Sequence, residues 1–238
     1  MNPILFFTIL GLIPLLAGCF DKTESPVETE KTRQHGTALS SQATPAAPET
    51  LGAYDYAMRK DPIGQNKTAA VDYYTLVLSW SPAFCTEQRQ KHGDDLPASA
   101  RYQCGMKKKY GWIIHGLWPQ SARARSAAGH PRFCRGDLPA VDAQVIRQYL
   151  NDSPSPSLLQ AEWEKHGACA FDSAQAYFQK QQALFQALNL PAQEMKKKDL
   201  FRWMRKHNPQ LNGVYLGASK NELYICYDLQ WKPIDCEK

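Results

Sequence analysis

The sequence contains no Cys-x-x-Cys pair, no glycine-rich loop of the kind that cradles nucleotide phosphates, and no internal repeat. The first absence argues against zinc fingers and ribbons. The second removes the dinucleotide-binding and P-loop folds, and the third removes solenoids and propellers. Charge of one sign is also scarce: 28 Lys and Arg stand against 23 Asp and Glu, a net +5 with neutral histidines. That excess is compatible with a polyanionic partner without requiring one. What is present is ordinary globular material, with 43% hydrophobic and 11% aromatic residues among 238. Disorder therefore cannot extend over most of the chain, and one domain with appendages is expected.

Met1 to Gly18 carries no charged side chain and is rich in Ile, Leu and Phe. It is too short for a comfortable membrane span and fits the apolar part of an export signal. Leu16-Ala17-Gly18-Cys19 resembles the bacterial lipoprotein processing site, although such signals usually open with Lys or Arg and this one does not. The resemblance implies removal of residues 1–18 and a lipid anchor on Cys19. Phe20 after the cysteine implies tethering to the outer membrane, on the periplasmic side. A plain cleavable signal with an incidental cysteine is the alternative. Asp21 to Thr50 is Thr-, Ser-, Glu-, Pro- and Ala-rich and reads as a flexible tether. Leu51 to Ala70 reads as an N-terminal extension packing on the domain, so 19–70 is expected to be tether plus extension and 71–238 the folded domain.

Setting Cys19 aside leaves Cys85, Cys104, Cys134, Cys169, Cys226 and Cys236, an even number in a chain that carries an export signal. Three disulfides are expected, and spacing alone leaves all fifteen pairings open. Pairing between sequence neighbours (Cys85 with Cys104, Cys134 with Cys169, Cys226 with Cys236) is our expectation.

Val71 to Trp80, with Tyr73, Tyr74, Leu76, Val77, Leu78 and Trp80, reads as a strand that Pro82 ends, and Arg89 to Gln103 reads as a polar loop region with a helical turn. Gly111 to Ile114 reads as a buried central strand, stopped by Gly116 and Pro119, with His115 at its mouth and Trp118 beside it. Helical spacing follows over Asp142–Leu150, Ser157–Gly167, Ser173–Leu188 and Lys198–His207. Val214–Leu216 and Leu223–Asp228 read as strands about a Gly217–Asn221 turn. Together these elements predict an α+β domain with a central, mainly antiparallel sheet, flanking helices and disulfide staples.

Two segments carry chemistry. His115 beside Trp118 sets a titratable ring next to an aromatic platform, although a core histidine with ordinary packing gives the same pattern. Glu162 and His166 are four residues apart, on one face of a helix, where a carboxylate orients an imidazole; a surface helix pair is the alternative. Gly167 reads as the helix stop that leaves His166 in the final turn, near solvent. Lys165 can face a phosphate. Two histidines on separate elements, with an acid and a lysine, suffice to cleave RNA without a metal. One removes the ribose 2′-hydroxyl proton and the other protonates the departing 5′-oxygen. DNA lacks that attacking hydroxyl and is not expected as a substrate. Arg123, Arg125, His130, Arg132 and Arg135 form a basic loop able to track a phosphate backbone or simply to solubilise. A metallohydrolase built on His115, His130 and His166 is a further alternative.

Trp112-Ile113-Ile114-His115-Gly116-Leu117-Trp118-Pro119 resembles the first active-site segment of the ribonuclease T2 family, and Glu162-Trp163-Glu164-Lys165-His166-Gly167-Ala168-Cys169 resembles its second. Supporting similarity runs from about Val71 to Cys236. The resemblance implies an α+β fold, no cofactor or metal, and RNA as partner. It also implies 2′,3′-cyclic phosphate products opened to 3′-phosphates by a chain expected to be monomeric. It implies His166 as general base, His115 as general acid, Glu162 and Lys165 as helpers at the phosphate, and Trp118 as a base-stacking surface. Gln120 stands where an acidic or amide residue often helps select the base. Ala161 replaces a histidine found in many relatives, so one phosphate contact is missing. That departure motivates the alternative of a catalytically weakened RNA-binding or inhibitory protein on the same fold.

Overall fold

The computed structural model describes residues 50–237. The leader, Cys19 and the tether up to residue 49 lie outside the described residues. Among the described residues no helix is long and apolar enough to cross a membrane.

A wholly antiparallel sheet forms the frame. β1 (Tyr73–Trp80) lies between β2 (Trp112–Gln120) and β4 (Glu222–Tyr227). The far side of β4 pairs with β3 (Gly217–Ala218) and, further along, with β5 (Pro233–Ile234). Tyr74 to Leu78 of β1 are all buried, which is what a continuous run of aromatic, β-branched and aliphatic residues predicts for a strand covered on both faces. Leu76, Leu78, Ile114, Leu117 and Ile225 of the sheet pack with Leu159, Trp163, Tyr177 and Phe178 of the helices in one core.

The helices follow from local chemistry. Pro82 ends β1 and opens α1 (Ser81–His92), where a missing N–H costs nothing. Asp142, Ser155 and Ser173 cap α3 (Ala143–Tyr149), α4 (Pro156–Lys165) and α5 (Ala174–Gln186), each accepting a backbone N–H. α6 (Lys197–His207) buries Leu200, Phe201 and Met204 on one side.

Three expectations are corrected. The Arg89–Gln103 region is more helical than a loop with one turn: α1 reaches His92, and α2 (Ala98–Gly105) follows after a short connection. Neither helix shows a broad apolar stripe, because they bury only a small satellite cluster of Cys85, Leu96, Ala100 and Cys104. β2 is an edge strand rather than a central one, and it runs through Gly116 and Pro119 to Gln120. An edge tolerates proline because one row of N–H groups needs no ladder partner. Finally, the C-terminal hairpin begins at Gly217, not Val214. The Val214 carbonyl accepts from Arg205 and the Tyr215 N–H donates to Asp235, so that backbone is engaged elsewhere.

The disulfides join Cys85 to Cys104, Cys134 to Cys169 and Cys226 to Cys236. The first ties α1 to α2, the second anchors the loop after β2 beneath the end of α4, and the third fastens the C-terminal tail to β4.

Candidate active site

His115 owes its position to an irregularity in β2. Val77 pairs with Gly116 and Leu78 with Ile114, so His115 is the extra residue of a β-bulge. Bulges re-aim side chains, and this one turns an imidazole out of the ladder in mid-strand, not at the strand's mouth. Gly116 next to it is dictated by space: a Cβ there would lie 2.0 Å from Glu162 Oε2 and 2.8 Å from Trp118 Nε1. Removing that methyl lets the carboxylate of α4 press against β2. Trp118, two residues on, meets His115 edge-on with ring centroids 5.4 Å apart.

α4 supplies the other half. It ends at Lys165, with His166 as its C-cap, and a short 3-10 turn spans Gly167–Cys169. Gly167 ends the helix through packing: a Cβ would lie 2.7 Å from both Trp163 and Tyr177. His166 is therefore buried, at 7% exposure, and not near solvent. Its ring stacks on Trp118 at 5.3 Å and 29°. The expected Glu162–His166 hydrogen bond is not made, because Glu162 Oε2 is 4.0 Å from His166 Nε2. Glu162 instead accepts from Trp118 Nε1 at 2.6 Å, and its other oxygen lies 3.7 Å from His115 Nε2. The carboxylate faces both imidazoles, and the indole lies against both rings.

A groove of about 590 Å³ is lined by His115, Trp118, Glu162, Lys165 and His166 together with Gln120, His130 and Arg132. All six predicted site side chains thus face one space. Gln120 closes the end of β2, almost wholly buried. The basic loop divides: Arg132 enters the groove, whereas Arg135 caps the carbonyls of Phe171 and Asp172. Ala161 lies instead on the wall of a second cleft, of about 530 Å³, with Phe84, Ile113 and Leu158. His115 lines both spaces. Among the described residues no three His, Cys, Asp or Glu side chains are grouped to hold a metal ion.

The electrostatics separate the two imidazoles. Burial lowers the His166 pKa well below its usual 6.5, and the cationic Arg132 and Lys165 lower it further. For His115 burial also acts downward, but Glu222 and Glu162 outweigh it and raise the pKa above 6.5. Burial raises Glu162 above the usual carboxylate range against the pull of His115 and Lys165. Burial among cations thus favours the neutral form of His166, and the neighbouring carboxylates favour the protonated form of His115.

A profile of the Ribonuclease T2 family matches residues 71–208. The chain belongs to the ribonuclease T2 family. It is 58% identical over 190 residues to a "Probable ribonuclease" of Haemophilus influenzae, a match covering 80% of this chain and 70% of that one. It is also 31% identical to a "Ribonuclease T2" of Sus scrofa over 48% of this chain and 54% of that one. Among solved structures, trichomaglin, described as "a novel S-like ribonuclease", superposes with a TM-score of 0.50 at 21% identity, over 71% of this chain and 92% of that one. An RNase-related protein from Calystegia sepium does so with a TM-score of 0.50 at 20% identity, over 71% and 91%. These likenesses carry the fold, and family membership supports endoribonuclease activity.

Two groups at the site fall outside the ribonuclease T2 segment and escape a reading of the sequence. Glu222, the first residue of β4, lies with Oε1 2.6 Å from His115 Nδ1. Its Oε2 accepts from Tyr224 at 2.8 Å and Ser219 at 3.1 Å. Burial works against the Glu222 carboxylate, yet the His115 contact keeps its pKa below 4.5. Asp61, from the N-terminal extension, bridges Lys165 and Arg132. Neither residue sits in a motif, and only the pairing of β4 with β1 or the course of the extension brings them in.

Proposed function

We propose that this ribonuclease T2 family member is a metal-independent endoribonuclease that cleaves RNA by transesterification. His166 accepts the 2′-hydroxyl proton, the 2′-oxygen attacks phosphorus, and the P–O5′ bond breaks as His115 gives its proton to the departing oxygen. The product is a 2′,3′-cyclic phosphate. Water then opens the ring to a 3′-phosphate with the histidines in reversed roles. Lys165 and Arg132 supply positive charge where the phosphoryl oxygens gain negative charge. Glu162 stabilises the charged form of His115, and Trp118 offers a stacking face to a base.

The observation that carries this reading is that His115 and His166, from separate elements, line one groove, with Glu222 Oε1 2.6 Å from His115 Nδ1 and Arg132 and Lys165 lining the same space; burial and those cations draw the His166 pKa down, while the carboxylates draw that of His115 up. Both proton transfers are then available near neutrality without a metal. Full-length protein should digest yeast RNA in EDTA, leave DNA intact, and lose activity by at least about a thousandfold as His115→Ala or His166→Ala. Digestion that persists in both variants contradicts the assignment. A folded wild-type protein that binds RNA without cutting it supports the non-catalytic alternative.

We propose further that the chain is exported and held by a lipid on Cys19 at the periplasmic face of the outer membrane, as a monomer. The apolar leader, the Leu16–Cys19 sequence and three disulfides support an oxidising compartment. The mass of the mature N terminus tests it: a diacylglyceryl cysteine is expected, and an unmodified or uncleaved terminus overturns it.

A further inference from the structure

The extension that precedes the family-matched segment contributes a fully engaged carboxylate to the groove. Asp61 Oδ2 lies 2.9 Å from Lys165 Nζ, and Oδ1 lies 2.8 Å from Arg132 Nη2. Oδ1 also accepts the backbone N–H groups of Ile63 and Gly64 at 3.0 and 3.1 Å. The side chain is only 3% exposed. The segment around it is tied down independently. Tyr54 donates to the Val141 carbonyl at 2.6 Å, Gln65 donates to that of Phe133 at 2.7 Å, and Asn66 exchanges backbone hydrogen bonds with Arg132.

A lysine and an arginine side by side repel each other and, unpaired, each samples many rotamers. A single desolvated carboxylate between them cancels the repulsion and fixes both heads. The Lys165 ammonium, 5.6 Å from the centroid of the Tyr56 ring, lines the groove where a phosphate would lie. The guanidinium of Arg132 is also bonded through Nε to the Gly64 carbonyl at 3.3 Å and lines the same groove. We propose that Asp61 is a positioning residue of the active site: it presets Lys165 and Arg132 beside His166, and the N-terminal extension is thereby part of the catalytic unit rather than a spacer. The inference rests on the cleavage mechanism above.

Asp61 has a second consequence for His166. The charged and titratable groups facing that imidazole are Arg132, Lys165, His115, Glu162 and Asp61, and Asp61 opposes the three cationic groups. Without its charge, His166 becomes harder to protonate.

The test uses full-length protein, a cytidylyl-(3′→5′)-adenosine substrate and NMR titration of the His166 ring. Asp61→Asn, which keeps the acceptor for Ile63 and Gly64, should lower kcat about tenfold or more with KM changed less than about threefold. It should also move the His166 titration and the acid limb of kcat/KM to lower pH. Asp61→Glu keeps the charge but displaces it, so kcat should fall severalfold with the acid limb unmoved. If Asp61→Asn does not fold, Asp61→Glu alone decides, and a wild-type kcat there overturns the proposal. Loss of thermal stability with kcat and the His166 titration unchanged also overturns it, as does a raised kcat/KM, which would make Asp61 a competitor of the phosphate. Wild-type protein that fails to cleave the dinucleotide sinks the cleavage mechanism instead, and the titration still reports on Asp61.

Discussion

Glu222 Oε1 lies 2.6 Å from His115 Nδ1, across 107 residues of sequence, and its other oxygen is held by Tyr224 and Ser219. The imidazole thus has one nitrogen fixed by an oriented anion and the other turned toward Glu162 and the groove. This is the arrangement by which a carboxylate selects the tautomer of a histidine and stabilises its charged form. A bell-shaped dependence of kcat/KM on pH follows. Its acid limb lies below 6.5, where His166 gains a proton, and its alkaline limb above 6.5, where His115 loses one. In Glu222→Gln burial then draws the His115 pKa down, so the alkaline limb moves to lower pH and kcat/KM at pH 8 falls by about tenfold or more. Profiles of the two proteins on one dinucleotide check this; an unmoved alkaline limb contradicts it.

Gly116 is required by the approach of α4 to β2. In Gly116→Ala the new methyl would lie 2.0 Å from Glu162 Oε2, so strand and helix must separate or the carboxylate must swing away. We expect a loss of about 1–3 kcal/mol in stability, typical of overpacking, and a fall in kcat of at least about a hundredfold. Chemical denaturation and initial rates measure both.

Trp118→Phe keeps a ring between the two histidines but deletes the donor to Glu162 at 2.6 Å. The buried carboxylate loses its shortest partner, at a cost of about 1–3 kcal/mol. The expected signature is reduced thermal stability with kcat down about tenfold, while Trp118→Ala should also raise KM for RNA through lost stacking. Equal KM values for the two variants contradict the stacking role.

The Cys134–Cys169 bond closes a longer loop than the others, with a sequence separation of 35 against 19 and 10. It also backs the C-terminal end of α4, beside His166, where the Phe133 N–H donates to the Lys165 carbonyl at 2.9 Å. The Cys134→Ser/Cys169→Ser double variant should lose about 2–5 kcal/mol and a large part of its activity. The Cys226→Ser/Cys236→Ser variant should lose less stability and keep its rate, as denaturation curves and assays would show.

The legible part of this protein is its local chemistry. His115 and Trp118 lie in one short segment and Glu162, Lys165 and His166 in another, so periodicity and spacing bring each set to the groove. The α+β class also followed from the alternation of apolar strands and helical spacing, as did helices α3 to α6. What the sequence hides is long-range. Nothing near Glu222 or Asp61 marks them, since their partners lie 107 residues away in the first case and 71 and 104 in the second. The bulge at His115 depends on β1 as much as on β2. Glu162 sits on the helical face expected of it, but packing against Gly116 and Trp118 takes it away from His166. The end of α1 and the whole of α2 are hidden in the sequence because these helices are stabilised by a disulfide and a satellite cluster, where the apolar stripe that betrays a helix is absent.

The most direct measurement is 31P NMR of a dinucleoside phosphate digested by the full-length protein in EDTA. A 2′,3′-cyclic phosphate resonance should rise first and then give way to a 3′-monophosphate, with neither appearing for His166→Ala or for a substrate carrying a 2′-deoxy sugar at the scissile phosphate. A 5′-phosphate product, or cleavage of the 2′-deoxy substrate, contradicts the paired-imidazole mechanism.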